Sequence, residues 1–303
     1  MAADLDWLQG EVSGDVITYT HPHGLTVRAE RSEKNDRLRI LPLTRLQAAL
    51  LHRLTTVPAL ADGKRVFEPF AGSGAFGFMA LSLGARHVDL LDINPRAAEF
   101  HRATRAANGF PPERVASRTG DIRTYRAEEP YDLILANPPF LPTPECIAGT
   151  LNSNGGPEGN TLVDVLLERL PELLQPEGHM FVILYQLIRE GMPLVAQAAR
   201  KHATGRPVEF TLLQETPVSF EVYVDAYERR HPAERTGIRE WHMDLARRYG
   251  SELSLAHLVM HVGARTAAPG SCVVRNDAAG AFGNEYLLAA DDPDYLPVDG
   301  RRR

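Results

Sequence analysis

Apolar and polar positions change period twice along this chain. Residues 16–20 and 25–29 alternate apolar with polar around His21-Pro22-His23-Gly24, which predicts a β-hairpin. From Thr44 onward, Leu46, Leu50, Leu51 and Leu54 recur at helical spacing, with Thr44 as the expected N-cap. From Arg65 the two periods alternate. Val66-Phe67 closes a strand, a glycine-rich turn follows, and residues 75–83 form an apolar helix. Residues 87–91 read as a second strand. The next helix runs from Pro95 to about Asn108, with proline in its first turn and Gly109 just past its end. Strands are expected at 114–118, 132–136 and 179–185, and helices at 161–174 and 192–201. The uninterrupted run Met180, Phe181, Val182, Ile183, Leu184 marks a strand buried on both faces. Such alternation predicts an α/β fold, a parallel sheet with helices on both sides.

Beyond Gly205 the pattern loosens. Residues 208–213 and 255–262 read as strands, and between them residues 217–250 hold a helical stretch around 240–248. Inserted segments of that length tend to carry function. The tail, 266–303, is rich in Gly, Asp and Pro and ends in Arg301-Arg302-Arg303; part of it is expected to pack and its last ten residues to be disordered. The expected organisation is an N-terminal hairpin and helix (1–60), a nucleotide-binding-type domain (61–265) and a C-terminal extension (266–303).

Composition narrows the function. With 303 residues, 44% hydrophobic and 24% charged, the chain can build one large α/β domain or a domain plus an appendage. A net charge of −6 argues against gripping long nucleic acid, though not against a local basic face. Cys146 and Cys272 cannot form a disulfide framework, and His21, His23, His242, His257 and His261 make no recognisable metal set. The start lacks the pattern of a secretory signal, no apolar run reaches the length of a membrane span, and a cytoplasmic location is the expectation.

The chemistry concentrates at strand ends. Glu68-Pro69-Phe70-Ala71-Gly72-Ser73-Gly74-Ala75 follows the first strand, and its glycines allow a tight turn and close approach of backbone to a ligand. Asp92 ends the second strand, 18 residues after Gly74, and Asp121 follows the third in Gly120-Asp121-Ile122. Asn137-Pro138-Pro139-Phe140 follows the fourth. A ligand on such a sheet sits at the carboxyl ends, where the strand order reverses. Gly72-x-Gly74-x-x-Gly77 formally satisfies a dinucleotide fingerprint, but hydride transfer has no use for the Asn-Pro-Pro-Phe turn. The Asn137 side-chain carbonyl and the Pro138 backbone carbonyl are acceptors suited to an –NH2 group, since proline brings no N–H of its own. Phe140 could stack on a planar group, a contact of about 1–3 kcal/mol per base in nucleic-acid binders. The plain alternatives are an ordinary glycine turn and a rigid Pro-Pro turn with Phe140 in the core.

Taken together, these residues resemble the class I S-adenosylmethionine-dependent amino-methyltransferases of the Asn-Pro-Pro-Phe type, well over 65–185 and poorly in the flanks. The resemblance implies a doubly wound, seven-stranded Rossmann-like sheet with an antiparallel last strand, here with an insertion of about 217–250 in the C-terminal hairpin. It implies S-adenosyl-L-methionine as cofactor, held by Glu68, Phe70, Ala71, Gly72, Ser73, Gly74, Asp92, Ile93, Asp121, Ile122 and Asn137. Glu68 would lie near the ligand's amino group, Asp92 on the ribose hydroxyls and Asp121 on the adenine amino group. Asn137, Pro138, Pro139 and Phe140 would hold the methyl acceptor, a planar nitrogen of a protein glutamine or an RNA base, with a small molecule as the alternative acceptor and a non-enzymatic binding module as the alternative role. The loop 141–160, whose Asn154-Gly155-Gly156-Pro157-Glu158-Gly159 resembles the glycine-rich loop of glutamine and ribosomal-RNA guanine methyltransferases, is expected to be a mobile lid. Phe220, Tyr223, Tyr227 and Trp241, mixed with Arg229, Arg230, Arg247 and Arg248, make the insertion the expected reader of the acceptor. The other reading of that segment is a helix packed on the sheet, aromatics inward. Cys146, near the site, is expected to be a bystander, and oligomeric state is left open by the sequence.

Overall fold

A computed structural model describes residues 6–31, 38–213, 217–267 and 270–276. The N-terminal hairpin has one strand more than expected: β1 (Glu11–Ser13), β2 (Val16–Thr20) and β3 (Thr26–Glu30) form a three-stranded antiparallel sheet. Helix α1 (Arg45–Thr56) starts at Thr44 as the pattern predicts. The Thr44 hydroxyl accepts the Gln47 N–H while the Gln47 side chain accepts the Thr44 N–H, a reciprocal capping box.

The alternating region follows. It comprises β4 (Arg65–Pro69), α2 (Ala75–Ser82), β5 (His87–Asp92), α3 (Ala97–Ala107), β6 (Val115–Thr119), β7 (Tyr131–Ala136), α4 (Thr161–Glu168), α5 (Leu170–Leu173), β8 (Leu174–Arg189), β9 (Met192–Pro193) and α6 (Ala196–His202). The C-terminal part adds β10 (Val208–Leu212), β11 (Val218–Ser219), α7 (Phe220–Arg230), α8 (Arg235–Tyr249), β12 (Leu253–Val262) and β13 (Cys272–Asn276). One large sheet runs in the order β13-β10-β12-β8-β7-β4-β5-β6, with the short β9 on β8 and β11 on β12. Strands β4 to β8 pair in parallel, and β12 lies antiparallel between β8 and β10.

The expected seven strands are therefore β4 to β8, β10 and β12, and β13 extends the sheet by an eighth that runs parallel to β10. Part of the segment after 266 thus serves as an edge strand, while 277–303, including the end expected to be disordered, lies outside the described residues. Two helix expectations need correction. The helix expected over 161–174 breaks at Arg169, because Pro171 lacks an N–H and its ring would crowd the preceding turn. The helix expected from Met192 begins only at Ala196, because Met192–Pro193 folds back onto Ile188 and Arg189 through a turn with positive φ at Glu190 and Gly191. No helix among the described residues is long and apolar enough to cross a membrane.

The central strands β4, β7 and β8 each feed two cores, as a period of two requires. Val66, Leu133 and Phe181 join α1, α2 and the N-terminal sheet on one face; Phe67, Ile134 and Val182 join α4 and α6 on the other. Tyr19, Val27, Leu50 and Leu54 share their core with Phe76, Phe78 and Met79, so the described part of the N-terminal segment is packed into the main body rather than appended to it. A third cluster joins Tyr223, Tyr227, Trp241 and Leu245 to Leu141, Ile147, Tyr185 and Leu187.

Helix α2 lies so close to β5 that a Cβ on Gly77 would fall 2.6 Å from both Leu90 Cδ2 and Val88 Cγ1. The third glycine of the loop pattern therefore serves packing. Gly77→Ala should lower the unfolding free energy by about 1–3 kcal/mol despite alanine's better helix propensity. The check is a lower urea midpoint with an unchanged slope; an unchanged midpoint would mean that the helix has room to shift.

Candidate active site

The register of β4 with its neighbours sets the level of every residue at the sheet's carboxyl edge. Glu68 lies opposite Leu90 and Pro69 opposite Leu91 on one side, and Val66 lies opposite Leu133 and Phe67 opposite Ile134 on the other. Carried to the strand ends, these offsets put Phe70, Asp92 and Asn137 at one height. A cleft of about 1710 Å³ opens there, at the point where the strand order reverses. Its walls include Glu68, Phe70, Ala71, Gly72, Ser73, Asp92, Ile93, Asp121, Ile122, Asn137, Pro138, Pro139 and Phe140.

The glycine loop is held from several sides. Phe70 has φ 61°, a left-handed conformation that costs a non-glycine residue energy, and such strain collects at working sites. Gly72 has φ 50°, and open space lies where its Cβ would be, so backbone conformation rather than room calls for glycine there. The Gly72 N–H donates to Asp92 Oδ2 at 2.6 Å, and the Asn94 N–H donates to Asp92 Oδ1 at 2.8 Å. Each Asp92 oxygen keeps an accepting site for the cleft. Burial raises the Asp92 carboxyl above the usual range, and these two N–H groups oppose the rise.

On the other side of the loop, the Gly72 carbonyl lies 3.0 Å from His101 Nε2, and Ser117 Oγ lies 2.7 Å from Nδ1. A carbonyl only accepts, so Nε2 carries the proton and Nδ1 accepts from serine. Burial lowers His101 to about 4 and keeps it neutral, in line with that assignment. His101 is a support that the sequence reading missed; its place on α3, facing the loop, was the only available signal.

Two of the residues expected at the ligand are tied into the start of α2. Gly74 is absent from the cleft wall. It caps α2 at φ 76°, where a Cβ would strike Phe78 and His101, and it serves the turn into the helix. Glu68 borders the cleft but is buried, with Oε2 accepting the Gly77 N–H at 2.7 Å and Oε1 near the Phe76 N–H at 3.4 Å. Its carboxyl caps the first turn of α2 by accepting from N–H groups that have no partner within the helix. Asp121 is at the wall, with one oxygen on the Arg123 N–H and the other on its guanidinium at 2.9 Å; the Arg123 N–H is the main reason its carboxyl sits below the usual range. Ile122 is buried beside it and Ile93 is exposed, which gives the cleft two apolar surfaces.

Across the cleft, Asn137 is half-buried, and its side-chain amide takes no hydrogen bond from the described residues. Phe140 is half-buried and packed against all three hydrophobic clusters, so its ring is partly core and partly cleft wall. The following loop folds back on it. Leu141 N–H donates to Ser153 O, Gly155 N–H to Leu141 O and Thr143 N–H to Gly156 O, at 2.9, 3.0 and 2.9 Å. A Cβ on Gly155 or Gly159 would collide with the Phe140 backbone at 2.7 and 2.5 Å, so those glycines permit the loop to lie against the motif.

The third wall comes from residues 38–47. Two asparagines grip it: Asn94 Nδ2 donates to Leu38 O at 2.6 Å, and Asn152 Nδ2 donates to Arg39 O at 3.2 Å. Glu30 adds a third tie, accepting the Ile40 N–H at 2.7 Å while pairing with Arg96 at 2.7 Å. His257 also borders the cleft. It is buried, stacked on Tyr185 at 4.3 Å, and lowered by burial to about 3, hence neutral.

The insertion stands elsewhere. No residue of 217–250 lines the cleft. Phe220, Tyr223, Tyr227 and Trp241 point into the third core, Arg247 pairs with Asp244, and Arg248 pairs with Asp244 and Glu158. These four aromatics follow the other reading of the segment, a helix packed with its aromatics inward, and none of them faces the cleft. Cys146 is exposed, next to Gly237 of the insertion and outside the cleft wall.

Burial pushes the Glu68 carboxyl up to about 8; the Gly77 and Phe76 N–H groups pull it down, and the charge of Asp92 adds to the rise. Because the folded pKa is raised, the contribution of Glu68 to stability is complete below its ordinary value of 4.5 and is lost as pH rises through about 8. Urea unfolding across that window should show the wild-type protein losing on the order of 5 kcal/mol relative to Glu68→Gln. Parallel pH profiles for the two proteins would show that Glu68 ionises freely.

Residues 47–190 match the methyltransferase small domain. The chain is 31% identical over 146 residues to a ribosomal protein uL3 glutamine methyltransferase of Bradyrhizobium diazoefficiens, covering 43% of this chain and 44% of the relative. It is 32% identical over 121 residues to a tRNA1(Val) (adenine(37)-N6)-methyltransferase of Porphyromonas gingivalis, covering 37% and 47%. A third relative, methyltransferase HEMK2 of Mus musculus, is 30% identical over 141 residues, covering 44% and 66%. The chain thus spans about half the length of the first curated relatives it matches. The match to the methyltransferase small domain thus falls on residues 47–190, which carry both the glycine loop and Asn137-Pro138-Pro139-Phe140.

Proposed function

We propose that this protein transfers a methyl group from S-adenosyl-L-methionine to a planar amide or amino nitrogen, in a protein glutamine or an RNA base. One observation carries the reading. Asp92, with accepting sites left for a ligand, and Asn137, with its amide uncommitted, stand at the same level of one cleft. The names of the relatives, which act on a protein glutamine and on a tRNA adenine, favour a macromolecular acceptor over a small molecule.

The cleft's chemistry fits the cofactor. Asp92 would accept from the ribose hydroxyls, Ile93 and Ile122 would cover the adenine, and the open space at Gly72 would admit the ligand close to the backbone. Asp121, although tied to Arg123, would take the adenine amino group on a remaining lone pair. When bound, this cofactor supplies an electrophilic methyl group on sulfur. The protein's own task is to hold the nucleophile. Asn137 Oδ1 and the Pro138 carbonyl would each accept one N–H of the acceptor –NH2 group, fixing the nitrogen and leaving its lone pair toward the methyl. Such positioning lowers the barrier by removing the entropy of alignment. Phe140, braced by three cores, offers a rigid edge for the planar group.

Tritiated methyl transfer to cell extract, separated into protein, RNA and small molecules, tests the reaction and identifies the acceptor class. Asn137→Ala should cut transfer at least about a hundredfold, the scale of losing one group aimed at the reacting centre, and leave S-adenosylhomocysteine affinity and melting temperature unchanged. If folding stability and activity fell together, Asn137 would be a strand-end cap instead. Asp92→Ala should weaken S-adenosylhomocysteine binding by about 1.5–3 kcal/mol in calorimetry, and a wild-type protein that binds none would end the reading.

A further inference from the structure

We infer that the α7–α8 insertion is a clamp that sets the conformation of the acceptor loop, with Tyr223 and Tyr227 as its positioning residues. The consequence for catalysis rests on the function proposed above; the clamp itself rests on geometry. Tyr223 and Tyr227 are four residues apart on α7 and so share a face. Their rings meet edge to face at 5.2 Å, and both hydroxyls donate to one atom, the Pro142 carbonyl oxygen, at 3.0 and 3.1 Å. A carbonyl has two lone pairs, and here both are filled by fully buried phenols. Burial raises the phenol of Tyr227 far above the ordinary tyrosine value, so it stays a donor.

Pro142 lies two residues past Phe140, at the entry to the loop. The exit is held in the same way from the same side. Trp241 Nε1 donates to the Pro157 carbonyl at 2.9 Å, and Tyr249 OH donates to Glu158 Oε1 at 2.8 Å, an oxygen shared with Arg248. Both stems are thus gripped from outside, while the segment between them, Ala148 to Asn154, forms cleft wall. A pair of helices that merely covered the sheet edge would need apolar contact alone. It would not need four aromatic donors and a guanidinium converging on the backbone and side chain of two short stems.

The test is the double variant Tyr223→Phe/Tyr227→Phe, which keeps both rings and deletes only the two hydroxyls. Amide hydrogen exchange of Leu141, Thr143 and Gly155, which bond across the loop, should speed at least tenfold, with Ile134 and Val182 of the central strands unchanged. S-adenosylhomocysteine affinity should stay within twofold of wild type. The saturated rate of tritiated methyl transfer to whichever extract fraction the wild type labels should fall at least tenfold. Unchanged loop exchange, or a loosened loop with an unchanged transfer rate, overturns the clamp. If the central strands also lose protection, Trp241→Phe replaces the double variant. It removes one donor from Pro157 and must loosen the loop alone, or the inference fails. A loosened loop together with a wild type that labels no fraction supports the clamp and counts against the proposed reaction.

Discussion

The cleft depends on one constraint, the pairing register of β4 with β5 and β7. Because side chains alternate along a strand, a one-residue slip would turn every residue of β4 to the opposite core. Val66 and Phe67 feed different clusters, as do Leu133 and Ile134, so a slip would exchange two well-packed sets at once. The buried faces therefore lock the register, and the locked register holds Phe70, Asp92 and Asn137 level at the carboxyl edge. Stability of the core and geometry of the site are here the same fact.

On that frame the loops are fixed by polar groups that burial holds in one state. His101 is neutral, so it can donate to Gly72 and accept from Ser117 without a charge to desolvate. Asp92 spends one lone pair of each oxygen on the backbone and keeps the rest for a ligand. The strained φ of Phe70 persists because β4, the Ala71–Leu91 hydrogen bond and the Asp92–Gly72 hydrogen bond over-determine the turn. Asn94 and Asn152, one on each side of the cleft, close the wall by taking neighbouring carbonyls of Leu38 and Arg39.

The insertion shows how the same composition serves two purposes. Aromatics mixed with arginines resemble a recognition surface in sequence, but α7 and α8 turn the aromatics inward and spend Arg248 on Asp244 and Glu158. In the clamp inferred above, the segment would bear on the acceptor indirectly, by way of the loop it holds.

By itself the sequence determined whatever depends on neighbours along the chain. Period two and period 3.6 located the strands and helices, Thr44 announced the start of α1, and the motifs at four strand ends lay next to the strands that carry them. Tertiary structure decided what depends on partners far apart. Asn152 finds Arg39 across 113 residues, Asn94 finds Leu38 across 56, and Tyr223 finds Pro142 across 81. No local pattern encodes such pairs, because the energy of a side-chain hydrogen bond is settled only when both groups leave water together. For that reason Glu68 could be located at a strand end from sequence, while its assignment to the end of α2 required the fold.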